Sequence, residues 1–248
     1  MARLALRIVR AFFNWCAENP TYAQAITSNA AKSKKAREAL GTAGVKTDAL
    51  LREQLPVWFA AVQGLPNRAH AAYLQTMLLT GARPGEVLEM KWDDINTKWR
   101  GLTLRDKDAS KGGIEGVRVI PLTPYVHHII NALPRRGPYV FTGTDADQAM
   151  SKPHKALERV CSVAGAPVTL DGLRRSFKSL TEWLEVPVGV VAQIQGHKPS
   201  ATAEKHYTQR PLDLLRVHHE RIEAWILEQA GVPMPQESGQ VLQLVKTA

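Results

Sequence analysis

Apolar positions recur at helical spacing along most of the chain and switch to alternation only in a short middle section. Leu4, Ile8, Phe12 and Trp15 form one stripe, widened by Leu6, Val9 and Phe13, and predict an amphipathic helix over residues 1–19. Leu51, Leu55, Trp58 and Val62 predict a helix over 48–63, and Ala72, Leu74, Met77 and Leu78 one over 68–80. Pro84 suits a first helical position and Glu86 a first turn, so a short helix runs from there to near Met90. The period then becomes two. Leu102–Arg105 and Val117–Ile120 read as strands around a polar, Gly-rich loop, and a stretch near Leu88–Trp92 completes a small antiparallel sheet. Helical spacing returns over Thr123–Leu133 and Ser151–Ala164, with a short buried run at Tyr139–Phe141 between them.

Leu173, Phe177, Leu180 and Leu184 mark a helix that opens at Asp171-Gly172, with Asp171 as N-cap. The chain must turn over Gly196–Pro199, and Ala201–Tyr207 restarts a short helix. Pro211–Ala230 is a long amphipathic helix ended by Gly231; Leu215, Ile222 and Ile226 face inward, and His218, His219 and Glu220 form its polar face. Trp183 reads as core rather than as a platform for stacking bases. The fold class that follows is mainly α with a small three-stranded antiparallel sheet (α+β).

Two helix starts carry an arginine where none is favoured. Arg83 falls at an N-cap, a place for small oxygen-bearing side chains, and Arg174 falls in a first turn, where the macrodipole disfavours a cation. Each alone reads equally well as a surface charge or as the partner of a carboxylate. Together they suit an oxygen-rich, multiply charged anion, and phosphate fits best.

Charge changes the picture next. The 248 residues carry a net charge of +9, which favours a polyanionic partner such as nucleic acid. Lys32, Lys34, Lys35 and Arg37 cluster in a polar stretch, 28–47, that reads as an interdomain linker or a solvated charge run. Cys16 and Cys161 lie far apart without metal-ligand spacing, so a reducing cytoplasm is expected. No run approaches the roughly eighteen apolar residues of a membrane span. His127, His128 and His154 show no metal spacing, and packing or surface roles are their default.

Four stretches, TGARPGEVL around Arg83, DGLRRSF around Arg174, QGHKP with His197 and AEKHYTQR with Tyr207, resemble the boxes of tyrosine recombinases, the phage integrase family, in order and separation. The resemblance covers roughly residues 48–230. It implies a catalytic domain at 48–231, and makes 1–27 similar to the last helix of a core-binding domain, as in a fragment or an abbreviated protein. Residues 28–47 would be a basic linker crossing the duplex, and 232–248 a tail that docks in cis or on a neighbouring protomer. It implies double-stranded DNA as partner, a homotetramer on DNA from a monomer in solution, no cofactor, no metal and no membrane. Lys32, Lys34, Lys35, Arg37, Arg175 and Lys198 would meet DNA.

The catalytic set implied is Arg83, Lys111, Arg174, His197 and Tyr207. Arg83 and Arg174 would neutralise the non-bridging oxygens, His197 would donate to them, Tyr207 would be the nucleophile, and Lys111 would protonate the departing 5′-oxygen. Lys111 fits the family's hairpin lysine better than Lys107, although the loop is about two residues longer than is usual in the family. Asp171 departs from it, standing where the family has histidine. It reads as a helix cap that orients an arginine, with any proton role secondary. His206 reads as a surface or backbone-contacting residue, since neighbours on a helix diverge by about a hundred degrees. The implied function is integration or excision of a mobile element such as a phage or genomic island. Two alternatives stand beside it: a DNA-binding protein that no longer cleaves, and a relaxing enzyme resembling type IB topoisomerases.

Overall fold

The computed structural model describes residues 2–26, 28–41, 44–106, 116–197 and 210–235. The chain divides into two compact units, Met1–Thr47 and Asp48–Ala248.

In the first unit, α1 (Ala2–Glu18) forms as its periodicity predicts, yet Leu4, Ile8, Phe12 and Trp15 each remain more than half exposed. The flank that is covered meets residues of the expected linker. Asn29 caps a 3-10 turn at Ala30–Lys32, and Ser33 caps α2 (Lys34–Glu38), so two good capping residues start two short elements. These fold back onto α1. Arg10 donates from Nε to the Ala31 carbonyl, Asn29 from Nδ2 to the Arg10 carbonyl, and Arg3 to the carbonyls of Leu40 and Gly41. Part of the stretch 28–47 thus packs on the first helix, because polar side chains of α1 satisfy its backbone.

The second unit is built around α4 (Arg68–Thr80), whose residues 71–80 are all buried. Around it pack α3 (Leu55–Gln63), α5 (Pro84–Leu88), α6 (Pro124–Asn131), α8 (Leu170–Thr181) and α10 (Leu212–Ala230); α7 (His154–Ala164) lies on α3, and α9 (Val188–Gln195) on α10. The sheet runs β1 (Ile95–Asn96), β2 (Gly101–Arg105), β3 (Val117–Pro121), both pairs antiparallel, with Leu102 opposite Ile120 and Leu104 opposite Arg118. Its alternation buries Leu102, Leu104 and Ile120, and therefore turns Arg118 toward the same inner face.

Several expectations are corrected. The helix expected from 48 begins at Leu55, where Pro56 fits the first turn, and Leu51 is left extended and exposed. The third strand is Ile95–Asn96, not the stretch near Leu88–Trp92. Leu88 ends α5, Lys91 makes a lone bridge to Tyr139, and the Asp94 carboxylate accepts from the Lys91 N–H to close a 3-10 turn instead. Thr169, not Asp171, caps α8, accepting from the Gly172 N–H, which places Asp171 in the first turn and Arg174 in the second. Trp183 is 58% exposed, with the Arg52 guanidinium 4.6 Å from its ring centre, because the helix tightens to a 3-10 turn at Glu182–Leu184. His219 is fully buried, not on a polar face: its Nε2 lies 2.9 Å from the Leu79 carbonyl. Glu223, one turn on, is buried as well and accepts from Thr123 Oγ1 and from the N–H groups of Tyr125 and Val126, so it holds the start of α6.

Candidate active site

The site is assembled where α4, α5, α8, α9 and β3 meet. Gly81 ends α4 in the left-handed region (φ +59), and a Cβ there would lie 2.5 Å from Phe177 and 2.8 Å from the Gln195 amide. The reversal delivers Arg83 to the start of α5, as the sequence predicts. Its side chain makes no cap. Glu86 does that work: Oε2 accepts from the Arg83 N–H at 2.8 Å and Oε1 from Arg83 Nη1 at 2.7 Å, while Arg83 Nη2 reaches the Gly196 carbonyl at 3.4 Å. Glu86 is 4% exposed.

Arg118 binds the same carboxylate, Nη1 to Oε1 at 2.8 Å and Nη2 to Oε2 at 2.7 Å, and donates from Nε to the Ile194 carbonyl at 3.1 Å. Arg174, from α8, donates from Nη1 to the carbonyls of Gly81 at 2.5 Å and Gln195 at 2.9 Å. Three successive carbonyls at the end of α9, those of Ile194, Gln195 and Gly196, thus each take a different arginine. The sequence places Arg83 and Arg174 at helix N-termini, but their guanidiniums lie at the C-terminal ends of α4 and α9. The backbone there is partially negative and stabilises cations.

Arg83 and Arg118 share the Glu86 carboxylate while Arg174 rests on carbonyls, so the three guanidiniums and one carboxylate leave two positive charges in a partly buried space. Burial, then the positive charge of Arg83, pulls Arg174 down to about 10, so it stays charged at neutral pH. Burial pushes Glu86 up, but the hydrogen bonds and charges of Arg118 and Arg83 outweigh it and hold the carboxyl below its ordinary value. His197 follows the Gly196 turn, its N–H donating to the Ala192 carbonyl at 2.9 Å. Burial and then the charges of Arg174, Lys178, Arg83 and Arg118 lower its pKa, which keeps a neutral imidazole beside the cluster. Asp171 is exposed in the first turn of α8, and its charge partly offsets the lowering of Arg174.

The structure therefore brings Arg83, Arg174 and His197 together. Lys111, Lys107, Lys198, His206 and the proposed nucleophile Tyr207 lie outside the described residues, as does the tail from 236. Lys32, Lys34, Lys35 and Arg37 are exposed in the first unit, with Lys34 3.6 Å from Glu38. Arg175 is engaged within the protein, with Asp48 and Thr169 Oγ1, and Asp48 also accepts from the Thr169 N–H. Arg118, Gln195 and Asp48 are the residues that sequence reasoning missed; only Arg118 left a signal, as a charge on the inward face of a strand. Among the described residues no group of His, Cys, Asp or Glu could hold a metal ion, and no helix is long and apolar enough to cross a membrane. Convergent arginines with a neutral histidine suit a tetrahedral oxyanion bearing more than one oxygen.

A model of the phage integrase family matches residues 50–211, a span that holds Arg83, Arg174, His197 and Tyr207. The chain belongs to the phage integrase family. A model of the phage integrase core-binding domain matches residues 1–38, which takes in both α1 and the folded-back α2. Prophage integrase IntF of Escherichia coli K12 is 44% identical over 237 residues, 92% of this chain and 50% of that protein. The chain thus spans about half the length of that curated relative. Among solved integrases, a lambda integrase dimer bound to a core site superimposes with a TM-score of 0.58 at 17% identity, covering 84% of this chain and 75% of that one. The Tn1549 transposon integrase in complex with circular intermediate DNA gives 0.59 at 16%, covering 88% and 78%. At such identities the likeness is one of integrase fold: mostly helical, with a small three-stranded antiparallel sheet.

Proposed function

We propose that this chain is the DNA-cleaving part of a site-specific recombinase that integrates or excises a mobile element. The observation that carries the proposal is the convergence of Arg83, Arg174 and His197 on the end of α9, a short way before Tyr207 in the sequence. A phosphodiester repels anionic nucleophiles, and two guanidiniums over its non-bridging oxygens lower that barrier as charge builds in the transition state. His197, held neutral, donates to the same oxygens. The phenol oxygen of Tyr207 attacks phosphorus, giving its proton to water, and the bond to the 5′-oxygen breaks as Lys111 gives that oxygen a proton. A 3′-phosphotyrosyl link and a free 5′-hydroxyl result. The reverse attack by a 5′-hydroxyl of another strand rejoins the DNA without metal or nucleotide, because the bond energy is retained in the link.

In this reading the exposed Lys32, Lys34, Lys35 and Arg37 meet phosphates with salt-dependent affinity, the segment from 232 exchanges between protomers of a tetramer on DNA, and the compartment is the cytoplasm. Asp171 complements the start of α8 and is dispensable for cleavage, so Asp171→His should remain competent; its complete inactivity would count against that role. The principal test is a nicked duplex carrying the element's attachment site. The native chain should form a covalent adduct and Tyr207→Phe none. Binding without an adduct would instead support a cleavage-deficient integrase-like protein, and relaxation without recombination a topoisomerase-like enzyme.

A further inference from the structure

A carboxylate between two guanidiniums can either neutralise them or aim one of them. Glu86 is shared unequally. Arg118 meets it end-on, one terminal nitrogen to each oxygen, and its third nitrogen is fixed on the Ile194 carbonyl. Arg83 takes what is left, Nη1 on Oε1 and its backbone N–H on Oε2. A carboxylate held at both oxygens by a planar fork has lost its rotation, so the direction in which it holds Arg83 is set by Arg118. The side chain of Arg118 is 16% exposed and that of Arg83 44%, so the first faces protein and the second solvent.

The same guanidinium underlies the turn that carries His197. A Cβ on Gly196, which has φ +71, would lie 2.7 Å from Arg118 Nη1. Turn and guanidinium therefore fit only while residue 196 has no side chain, a second reason for glycine beyond the left-handed backbone.

We propose that Arg118 is a positioning residue, aiming Arg83 through Glu86 and seating the Gly196–His197 turn through the Ile194 carbonyl. Its kinetic consequence rests on the cleavage reading above; its structural consequence does not. A lysine at 118 keeps the charge but has no planar fork and cannot serve three acceptors in this geometry, so Arg118→Lys separates aiming from neutralisation.

The first arm of the test needs no DNA. In nitrogen-15 spectra of the full chain, the Arg83 guanidinium signals, assigned with Arg83→Lys, should collapse to the free-arginine position in Arg118→Lys, while those of Arg174 persist and the melting curve stays cooperative. In the second arm, single-turnover cleavage of the nicked site should slow by about a hundredfold with DNA affinity nearly unchanged. On a duplex whose scissile phosphate is a neutral methylphosphonate, where arginine charge matters less, the penalty should shrink to less than about tenfold. Unchanged Arg83 signals would overturn the proposal, as would an equal loss on both linkages. A wild-type chain that cleaves neither duplex would sink the cleavage reading, and the spectra would still decide the role of Arg118.

Discussion

Lys32, Lys34, Lys35 and Arg37 in the first unit stand in water, with one exposed ion pair to Glu38 among them, whereas in the second unit Arg83, Arg118 and Arg174 are each fastened to carbonyls or to Glu86. The first arrangement can be screened by salt and rearranged at little cost. The second cannot rearrange without stripping a buried carboxylate and the ends of two helices. Charge alone would favour DNA in either place; only the fastened set can present its donors in a fixed direction. The proposed function accordingly assigns affinity to the first kind of region and catalysis to the second.

Arg174→Ala should break the contrast most severely. Cleavage of the nicked site should fall about a thousandfold while affinity for the duplex changes little. A loss as small as that of Lys35→Ala, measured side by side, would erase the distinction between the two regions.

Glu86→Gln should follow, through stability as well as rate. Removing the charge from a buried carboxylate that serves two arginines should cost about 3–5 kcal/mol, readable by urea denaturation. Because Glu86 titrates below its ordinary value of 4.5, its stabilisation is present above that pH and fades as pH falls through the folded value. The acid limb of the wild-type stability curve should flatten in the variant.

Burial without an opposite charge gives a different result, and sharpens the comparison. Burial takes His219 down to about 4, so the unfolded chain binds the proton first and this group costs stability as pH falls from 6.5 to about 4. Burial takes Glu223 up to about 7, so the folded chain binds the proton first and stability falls as pH rises from 4.5 to about 7. The two effects oppose each other between 4.5 and 6.5. Replacing His219 by Phe should leave the Glu223 effect alone, with the variant gaining up to about 3 kcal/mol on acidification across that window, whereas Glu223→Gln should lose stability there.

The smallest effect belongs to the exposed charges. Lys32, Lys34 and Lys35 changed together to Ala should weaken DNA binding by about tenfold at low salt and flatten its salt dependence. The cleavage rate at saturating DNA should not move.

How far the sequence carries depends on the range of the interaction that decides each residue. Arg83 was legible because Gly81, Pro84 and Glu86 fix its setting within six residues. The stripe of Leu173, Phe177 and Leu180 was legible for the same reason, being local periodicity. His219 was readable in principle, since Leu215, His219, Ile222, Glu223 and Ile226 share one helical stripe, but their polar types argued for the opposite face. Arg118 depends on a carboxylate 32 residues away and on a carbonyl 76 residues away, and no local pattern names either. Asp48 is fixed by Thr169 and Arg175, more than a hundred residues on, and was equally out of reach.

The most direct measurement is the position of a tetrahedral oxyanion, vanadate or tungstate, bound to the crystallised chain. A single ion within hydrogen-bond distance of the Arg83 and Arg174 guanidiniums and of the His197 ring is the expected result. An ion held by one arginine alone, with the other directed elsewhere, would contradict a shared phosphate site.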